Sequence, residues 1–235
     1  MCLTDTNLFF MAKTKTSVSF AAVAVDAAIF TIKDEELNIL LIKAKKDSPF
    51  PDRWVLPGGL VKPEESLDQA VERHLLSKAG LKNVYFEQLY TFGDIRRDPR
   101  SRVVSIAYMI LIPCGTFEPK TNEAYSAIQW FPVAKLPRLG YDHNKIADTA
   151  IERLKAKLTY TNIVYSLMSE EFTLGDLQKT YEIILGKNLD KRNFRKKILQ
   201  TKLLKKVSKK TLGDAHRPAQ LYSFAKRSPQ FIEVI

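Results

Sequence analysis

The most informative segment of the chain is PGGLVKPEESLDQAVERHLLSKAGL, residues 57–81. It follows the short apolar segment Trp54-Val55-Leu56, which is typical of a strand, and its two glycines allow the backbone to turn tightly into a loop. From Ser66 onward apolar residues recur at the spacing of a helix, and Gly80 is a typical helix end. The stretch therefore predicts a short strand, a tight loop and an amphipathic helix that ends at Gly80.

Parts of this stretch resemble the Nudix box, whose pattern is Gly, five residues, Glu, seven residues, and then Arg-Glu-apolar-any-Glu-Glu-any-Gly-apolar. Six positions match: Gly59, Glu65, Arg73, Leu75, Gly80 and Leu81. The three later glutamates of the pattern are replaced by His74, Ser77 and Lys78. A chance match on an ordinary amphipathic helix is the alternative, but the number of matching positions argues against it.

The three replacements are chemically informative. Nudix hydrolases cut a pyrophosphate with Mg²⁺ or Mn²⁺, and such hard cations are held by carboxylate oxygens. His74, Ser77 and Lys78 share one helix face through their i, i+3, i+4 spacing, and none of them supplies a carboxylate. The resemblance therefore implies a Nudix fold that binds its ligand without cutting it, with no catalytic residue, no metal and no cofactor.

Length and composition set the remaining bounds. The 235 residues allow one large or two modest domains, and 45% hydrophobic content is ordinary for a globular protein. The cysteines, Cys2 and Cys114, form no metal or disulfide pattern, which favours a reducing compartment. The first residues lack the basic segment of a signal peptide, and residues 18–32 are too short and, at Asp26, too polar for a membrane span. We therefore expect a cytoplasmic protein without a membrane partner, with Met11 as a second candidate start.

The formal charge of +11 is concentrated in the back of the chain. Residues 151–235 contain 18 Lys and Arg against 8 Asp and Glu, whereas residues 1–150 contain 19 against 18. This asymmetry suggests a polyanion-binding module attached to a domain with another task. Charge alone also fits a solvated lysine surface, so the elements of the chain must decide.

The front half is predicted to mix strands and helices. Residues 18–30 and 37–43 are rich in Val, Ile, Ala and Leu and are separated by a polar turn, which predicts a hairpin. Further strand-like segments cover residues 83–91, 103–112 and 128–131, and a helix is predicted over residues 145–158. Together with the helix that ends at Gly80, this order fits the α/β/α sandwich known for Nudix proteins.

Between two of these strands, four arginines fall within seven positions, close to Tyr90 and Phe92. Guanidinium groups bind phosphates bidentately, and an aromatic ring can stack on a base. An exposed charged loop is the alternative, but the neighbouring Nudix frame favours a binding role. The predicted effector-binding residues are Arg53, Glu65, Arg73, Phe92, Asp94, Arg97, Arg100 and Arg102.

The back half is predicted to contain helices followed by a hairpin. A first apolar helix is predicted over residues 160–168, a second starts after Thr173 and stops at Gly186, and Asp190 is a suitable cap for a third. Strands are predicted over residues 203–207 and 220–224, around a basic loop. This order is typical of a winged helix. A helical bundle with a basic face explains the charge but not the order.

The third helix of the back half is predicted to bury Phe194, Ile198 and Leu199 and to expose a basic side. That layout is expected of a recognition helix, whose first residues contact bases and phosphates in the major groove. The predicted DNA-binding residues are Lys191, Arg192, Asn193, Arg195 and Lys196 on this helix, with His216 and Arg217 in the basic loop.

From about residue 18 to residue 224 the chain resembles the Nudix-related transcriptional regulators. The resemblance rests on the degenerate Nudix box and on the phrases FTL (172–174), LDKRNFRKK (189–197) and HRPAQLY (216–222). It implies an α+β chain with an N-terminal tail at 1–16, a Nudix-like effector-sensing α/β/α sandwich at 17–155 and a winged-helix DNA-binding domain at 156–235.

The same resemblance implies a function. Members of this family are bacterial repressors that bind double-stranded operator DNA as homodimers. Many regulate NAD metabolism and respond to ADP-ribose, whereas relatives in sugar catabolism respond to a pentose such as arabinose. Effector binding is expected to move the two winged helices through the helix at residues 145–158 and to release the DNA.

Two other functions stay open at this point. A Nudix hydrolase acting on ADP-ribose or a related nucleoside diphosphate would use Glu65, Arg73 and the arginine loop, against the loss of the glutamates. An RNA-binding Nudix protein would also account for the basic back half. The effector, the target genes and the sign of regulation are not fixed by the sequence.

Overall fold

The computed structural model describes residues 20–113, 115–119, 125–210 and 219–232, and within them the elements follow the predicted order except for the helix expected over residues 160–168. The front half contains β1 (Ala22–Lys33), β2 (Glu36–Lys43), β3 (Trp54–Val55), β4 (Gly58–Leu60), α1 (Leu67–Ala79), β5 (Phe86–Phe92), β6 (Val103–Leu111), β7 (Ala127–Pro132) and α2 (His143–Tyr160). The back half contains β8 (Phe172–Thr173), α3 (Leu174–Leu185), α4 (Lys191–Gln200), β9 (Leu204–Lys210) and β10 (Gln220–Phe224). Short 3₁₀ turns occur at Val133–Lys135 and Ile163–Ser166.

The front half is built on one mixed sheet with the order β3-β2-β1-β6-β5, to which β4 pairs on β1 and β7 pairs on β2. Strand β1 runs parallel to β6 and antiparallel to its other partners. Its side chains alternate between the two faces. Ala27 and Ile29 pack with α1, whereas Ala28 and Phe30 pack with α2. The helices thus cover opposite faces, and the predicted α/β/α sandwich is confirmed.

Helix α1 begins and ends as the sequence predicts. Ser66 forms a capping box with Gln69, in which each side chain accepts from the other residue's backbone N–H. Gly80 ends the helix in the left-handed region, at φ 71. The loop before α1 depends on glycine, because a Cβ on Gly58 would lie 2.3 Å from the carbonyl oxygen of Val25.

The back half is a winged helix. Strands β8, β10 and β9 form a small antiparallel sheet. Thr173 caps α3 and Asp190 caps α4 through hydrogen bonds to the third backbone N–H of each helix. Helices α3 and α4 bury Leu177, Tyr181 and Phe194 against each other and the sheet. None of the helices in the described ranges is long and apolar enough to cross a membrane.

Two details of the sequence prediction are wrong. There is no α-helix over residues 160–168, because α2 runs through Tyr160 and stops at Thr161, whose hydroxyl donates back to the carbonyl of Lys157 at 2.7 Å. Asn162 is then held by residues far along the chain, since its side chain and backbone pair with the backbone of Ser228 and Gln230. Leu199 is not buried but 45% exposed, because Phe194 and Ile198 already complete the buried face of α4.

Helix α2 belongs to both halves. Its buried residues include Ala150, which packs under the Nudix sheet, and Leu158, which joins the core of the winged helix. The buried apolar cluster runs without a break from Phe30 to Tyr181. The boundary expected at residues 155 and 156 therefore falls inside a continuous helix and stays a prediction.

Candidate functional site

A cleft of about 400 Å³ opens where the carboxyl end of α1, the loop around Gly58 and the arginine loop meet. Cationic, anionic and aromatic side chains all face it: Asp26, Lys78, Arg97, Arg100, Tyr125 and Tyr141. A concave site with a few converging polar groups is the usual form of a small-molecule site.

A buried ionic cluster forms one wall of the cleft. Arg97, with 3% of its side chain exposed, donates to Asp26 at 3.0 Å and to both carboxylate oxygens of Asp142, at 2.8 and 3.1 Å. Ser105 donates to Asp26 at 2.6 Å. Burial by itself would raise the pKa of Asp26, but His143, Arg97 and Ser105 outweigh it and hold that pKa well below its ordinary value. Asp26 is therefore a permanent buried anion that fixes the arginine.

His143 links this cluster to the strand before the Nudix loop. The backbone N–H of Leu56 donates to its Nδ1 at 2.8 Å, so Nε2 carries the proton and points to Asp26 at 3.4 Å. His143 and Asp142 stand at the start of α2, so the first turn of that helix is part of the cleft wall.

Arg100 lies at the outer edge of the cleft. It donates to both oxygens of Asp98, at 3.0 and 2.8 Å, and to the hydroxyl of Tyr141 at 3.3 Å. This hydrogen bonding holds the pKa of Asp98 below its ordinary value. With 59% of its side chain exposed, Arg100 is free to exchange solvent for a ligand.

Lys78 reaches into the cleft from the last turn of α1. Its ammonium group donates to the carbonyl of Gly58 and lies 5.1 Å from the centre of the Tyr125 ring. Burial lowers the pKa of Lys78 to about 8, partly offset by the attraction of Asp26. Lys78 is thus still mostly protonated at neutral pH.

Two matching positions of the box, Glu65 and Arg73, hold the loop before α1 and do not line the cleft. Arg73 donates from Nε to Glu65 at 2.8 Å and also to the carbonyl of Leu60 at 3.0 Å. Glu65 in turn accepts from the backbone N–H of Lys62 at 2.8 Å. The side-chain hydrogen bond from Arg73 lowers the pKa of Glu65 to about 2. The pair therefore fixes the loop between β4 and α1.

His74 is buried beneath the same loop. Its Nε2 lies 3.2 Å from the carbonyl of Leu60, and a Cβ on Gly59 would lie 2.6 Å from its ring. Burial, with a smaller contribution from Lys78, lowers the pKa of His74 to about 4, so the ring is neutral at pH 7. The neutral ring of His74 packs directly beneath Gly59.

The residues present do not fit the divalent metal of Nudix enzymes. Glu65 is engaged by Arg73, and the residue of α1 that lines the cleft, Lys78, offers an ammonium group and not a carboxylate. In the described parts of the chain no cluster of three His, Cys, Asp or Glu side chains could hold a metal ion. The cationic groups that line the cleft are the side chains of Lys45, Lys78, Arg97 and Arg100.

The structure brings some of the predicted effector residues together and gives others different partners. Arg97 and Arg100 line the cleft. Phe92 is 4% exposed in the core beneath the sheet, and the neighbouring Tyr90 is exposed at the surface. The others contact the protein itself: Arg53 the Arg138 carbonyl, Glu65 and Arg73 each other, Asp94 the backbone N–H of Arg96, and Arg102 the carbonyls of Gly93 and Asp94.

Sequence reasoning missed Asp26, Tyr125, Tyr141 and His143 at the cleft. Only Asp26 carried a usable signal, because an acidic residue inside a fully apolar strand must find a partner when buried. The others come from distant segments, which only the fold brings together.

The second candidate site is the surface of α4. Phe194 and Ile198 face the core, while the predicted contact residues of this helix are exposed: Lys191, Arg192, Asn193, Arg195 and Lys196. No salt bridge joins any of them to a carboxylate in the described ranges. His216 and Arg217 lie outside the described residues. The basic face is therefore free to meet a polyanion.

The fold and the two surfaces define a class: a Nudix domain joined to a DNA-binding winged helix. A NUDIX domain matches at residues 22–154, and an NrtR DNA-binding winged helix domain matches at residues 164–224. The ADPR responsive transcriptional repressor NtrR of Acinetobacter baylyi is 35% identical over 211 residues, which cover 88% of this chain and 83% of that protein. The chain belongs to the NrtR family of Nudix-related transcriptional regulators.

Similar solved structures support the assignment to this family. Shewanella oneidensis NrtR complexed with a 27mer DNA superposes with a TM-score of 0.75 at 35% identity, covering 86% of this chain and 93% of that one. The NUDIX domain of Shewanella oneidensis NrtR complexed with ADP ribose gives a TM-score of 0.53 at 33% identity, covering 60% and 92%.

Proposed function

We propose that this protein is a bacterial, cytoplasmic transcriptional repressor that binds operator DNA as a homodimer and releases it when ADP-ribose occupies the cleft. One observation carries the proposal: the cleft contains cationic side chains suited to phosphates without a metal-binding set in the described residues, and α2 shares a core with the winged helix that exposes the basic face of α4. Such a cleft suits binding rather than phosphate-ester or pyrophosphate cleavage.

The proposed DNA contacts divide by chemistry. Asn193 and the arginines of α4 can read base edges in the major groove, whereas the lysines supply phosphate contacts whose strength falls with salt. His216 and Arg217 are proposed to contact the backbone or the minor groove. In a homodimer two such helices would meet a pseudo-palindromic operator.

ADP-ribose is favoured over a pentose by the chemistry of the cleft. Lys78 and the largely exposed Arg100 offer positive charge to phosphates, and Tyr125 and Tyr141 supply rings on which a base or sugar can pack. A free pentose offers no anion to these cations. The ADP-ribose complex of a related NUDIX domain supports the same choice.

Helix α2 is the proposed route between the two sites. Asp142 and His143 hold the cleft cluster at its start, and Leu154 and Leu158 pack in the shared core near its end. Eighteen residues of helix span about 27 Å, so a small tilt at the cleft displaces the winged helix. Coupling requires that ADP-ribose favour the arrangement that does not bind DNA, and that DNA reciprocally weaken ADP-ribose.

The proposal is tested by gel shift with the promoter regions beside this gene. We expect specific retardation that salt weakens and that ADP-ribose reverses, while arabinose and ribose at the same concentration do not. If only the pentose releases the DNA, the effector is a pentose and not ADP-ribose. If no neighbouring promoter is specifically retarded, the proposed regulatory function is wrong.

The hydrolase alternative is separated by incubating the protein with ADP-ribose and Mg²⁺ or Mn²⁺. We expect no metal-dependent release of AMP above a no-protein control, because the metal ligands of the box are replaced. Preference for duplex RNA or single-stranded RNA over operator DNA in the same gel shifts would instead support the RNA-binding alternative.

A further inference from the structure

Lys78 distinguishes this cleft from that of a metal-dependent Nudix protein. Of the three residues that replace box glutamates, His74 is packed beneath Gly59 and Ser77 is exposed on α1. Only Lys78 lines the cleft. The position that would carry an anion toward a metal ion therefore carries a cation instead.

The other cationic groups of the cleft are already neutralised or solvated. Arg97 is bound to two carboxylates and Arg100 to a third, all at about 3 Å. Lys45 also lines the cleft but is exposed to solvent. Lys78 differs from all of them, because its hydrogen-bond partner is the neutral carbonyl of Gly58 and no salt bridge joins it to a carboxylate in the described ranges.

The surroundings of Lys78 strengthen the electrostatic attraction between its ammonium group and an anionic ligand. Its Nζ is partly buried between Gly58 and the ring of Tyr125, so water screens it less than it screens Lys45. The lowered pKa agrees with this incomplete solvation. Asp26 attracts this charge without forming an ion pair with it, so an anion that entered the cleft would be the direct partner of Lys78.

We propose that Lys78 is a built-in cation that binds the phosphates of a nucleoside diphosphate effector in the place of a metal ion, so that effector binding requires no divalent metal. This inference rests on the proposed effector function of the cleft. Replacement of an acidic metal ligand by lysine then both removes catalysis and keeps the phosphate site.

The test measures ADP-ribose and ADP binding by isothermal titration calorimetry in EDTA and in excess Mg²⁺, using the full chain. For the wild-type protein we expect affinities in the two buffers that agree within about twofold. For K78M we expect affinity to fall about 10- to 100-fold in either buffer, because a charge-assisted hydrogen bond to phosphate is removed. K78R should recover part of the affinity.

K82M is the matched control, because Lys82 is an exposed lysine four positions further along that does not line the cleft. We expect it to bind ADP-ribose like the wild type. Operator binding by K78M should also stay unchanged, which verifies its fold. If Lys78 had only a structural role at the end of α1, K78M would instead have a lower melting temperature and an unchanged affinity for the ligand.

The outcomes separate this inference from the proposed function. If the wild-type protein binds ADP-ribose only in the presence of Mg²⁺, the proposed role of Lys78 is wrong, and no variant is needed to show it. The proposed role is also wrong if K78M binds ADP-ribose as tightly as the wild type. In both cases the effector function survives. Wild-type protein that binds neither ADP-ribose nor ADP overturns both.

Discussion

Helices α1 and α4 are both capped at the N-terminus and both carry several basic residues, yet they use them in opposite ways. On α1, Arg73 is paired with Glu65 and also donates to the carbonyl of Leu60, which fixes the loop before the helix. On α4, the basic side chains are exposed, and no salt bridge engages them in the described ranges. Charges that are paired within the protein hold its local structure in shape, and charges without a carboxylate partner are available to a ligand or to DNA. Lys78 of α1 is proposed above to belong to the second kind.

The net charge of a segment therefore does not define its role. The arginine loop has the same appearance in sequence as α4, but Arg97 is 3% exposed and salt-bridged to two carboxylates. We therefore expect substitutions at internally paired cations to change stability or coupling, and substitutions on α4 to change DNA affinity alone.

The largest expected effect is that of R97M. Removing the guanidinium leaves Asp26 and Asp142 without their cation, and breaking a buried ionic cluster in this way costs about 3 to 5 kcal/mol. Urea unfolding of the purified protein measures this loss. R96M is the control, because Arg96 is exposed in the same loop and its replacement should change stability by less than about 0.5 kcal/mol. A loss below about 1 kcal/mol for R97M would contradict the structural role of the cluster.

The second effect is expected on α4. We expect K191A/R192A/R195A to weaken operator binding about 100-fold or more. The slope of log affinity against log salt concentration should also decrease in magnitude by about one for each phosphate that is no longer bound. ADP-ribose affinity and unfolding free energy should stay near those of the wild type. Fluorescence anisotropy at several salt concentrations measures both DNA quantities.

The matched control for α4 is K33A/K82A/K145A, which removes the same charge from three exposed lysines of the Nudix half. It should retain operator affinity within a few-fold, because net charge alone is a small, nonspecific contribution. Equal reductions of affinity in both triple variants would show that α4 is not the DNA-binding face.

The sequence was sufficient for elements that are specified locally. Ser66, Thr173 and Asp190 cap helices, and Gly80 and Gly186 end them, through contacts within a few residues. It was also sufficient for the existence of β1, because a nearly continuous apolar run indicates a strand that is covered on both faces.

The sequence was insufficient where distant segments meet. Arg97 lies 71 positions from Asp26 and 45 from Asp142, and no local pattern indicates which arginine of its loop turns inward. The end of α2 is likewise set by Asn162, which pairs with the backbone near Gln230. The helix predicted over residues 160–168 was wrong because apolar periodicity cannot detect such a non-local partner.

A smaller effect is expected at Lys157, an internally paired cation at the far end of α2. Its ammonium group donates to Glu87 of β5 at 2.7 Å, and both side chains are largely buried. We expect K157M to bind ADP-ribose and operator DNA within about twofold of the wild type. The reduction of operator affinity caused by ADP-ribose should shrink by about fivefold, because α2 would be less firmly tied to the sheet that it couples.

Operator titrations with and without saturating ADP-ribose measure this coupling. K155M is the control, since Lys155 pairs with Glu152 within α2 itself and contacts no second element through that pair. Unchanged coupling in K157M would show that the end of α2 does not carry the signal.

The smallest effect is the pH dependence of ADP-ribose binding. The pKa of Lys78 is lowered to about 8 by burial, which Asp26 opposes and Arg73 reinforces, so the ammonium form is lost as pH rises through that value. Asp26 stays ionised, since its own pKa is lowered, and Tyr125 stays neutral, since burial raises its pKa to about 12. Burial opposes the charge of the nearby Arg97, but Asp142 and Asp26 outweigh it and raise the pKa of that arginine, so it stays charged.

Because an anionic effector selects the protonated lysine, binding above pH 8 must be accompanied by proton uptake. Affinity is then expected to fall about fourfold between about pH 7 and 8.5, with the steepest change near the pKa of Lys78. K78R should flatten this profile, because a guanidinium group stays charged throughout the range. Isothermal titration calorimetry in two buffers of different ionisation enthalpy detects the proton uptake directly. A wild-type profile as flat as that of K78R would place Lys78 with the charges that only shape the cleft, beside Arg73 rather than with those that meet a ligand.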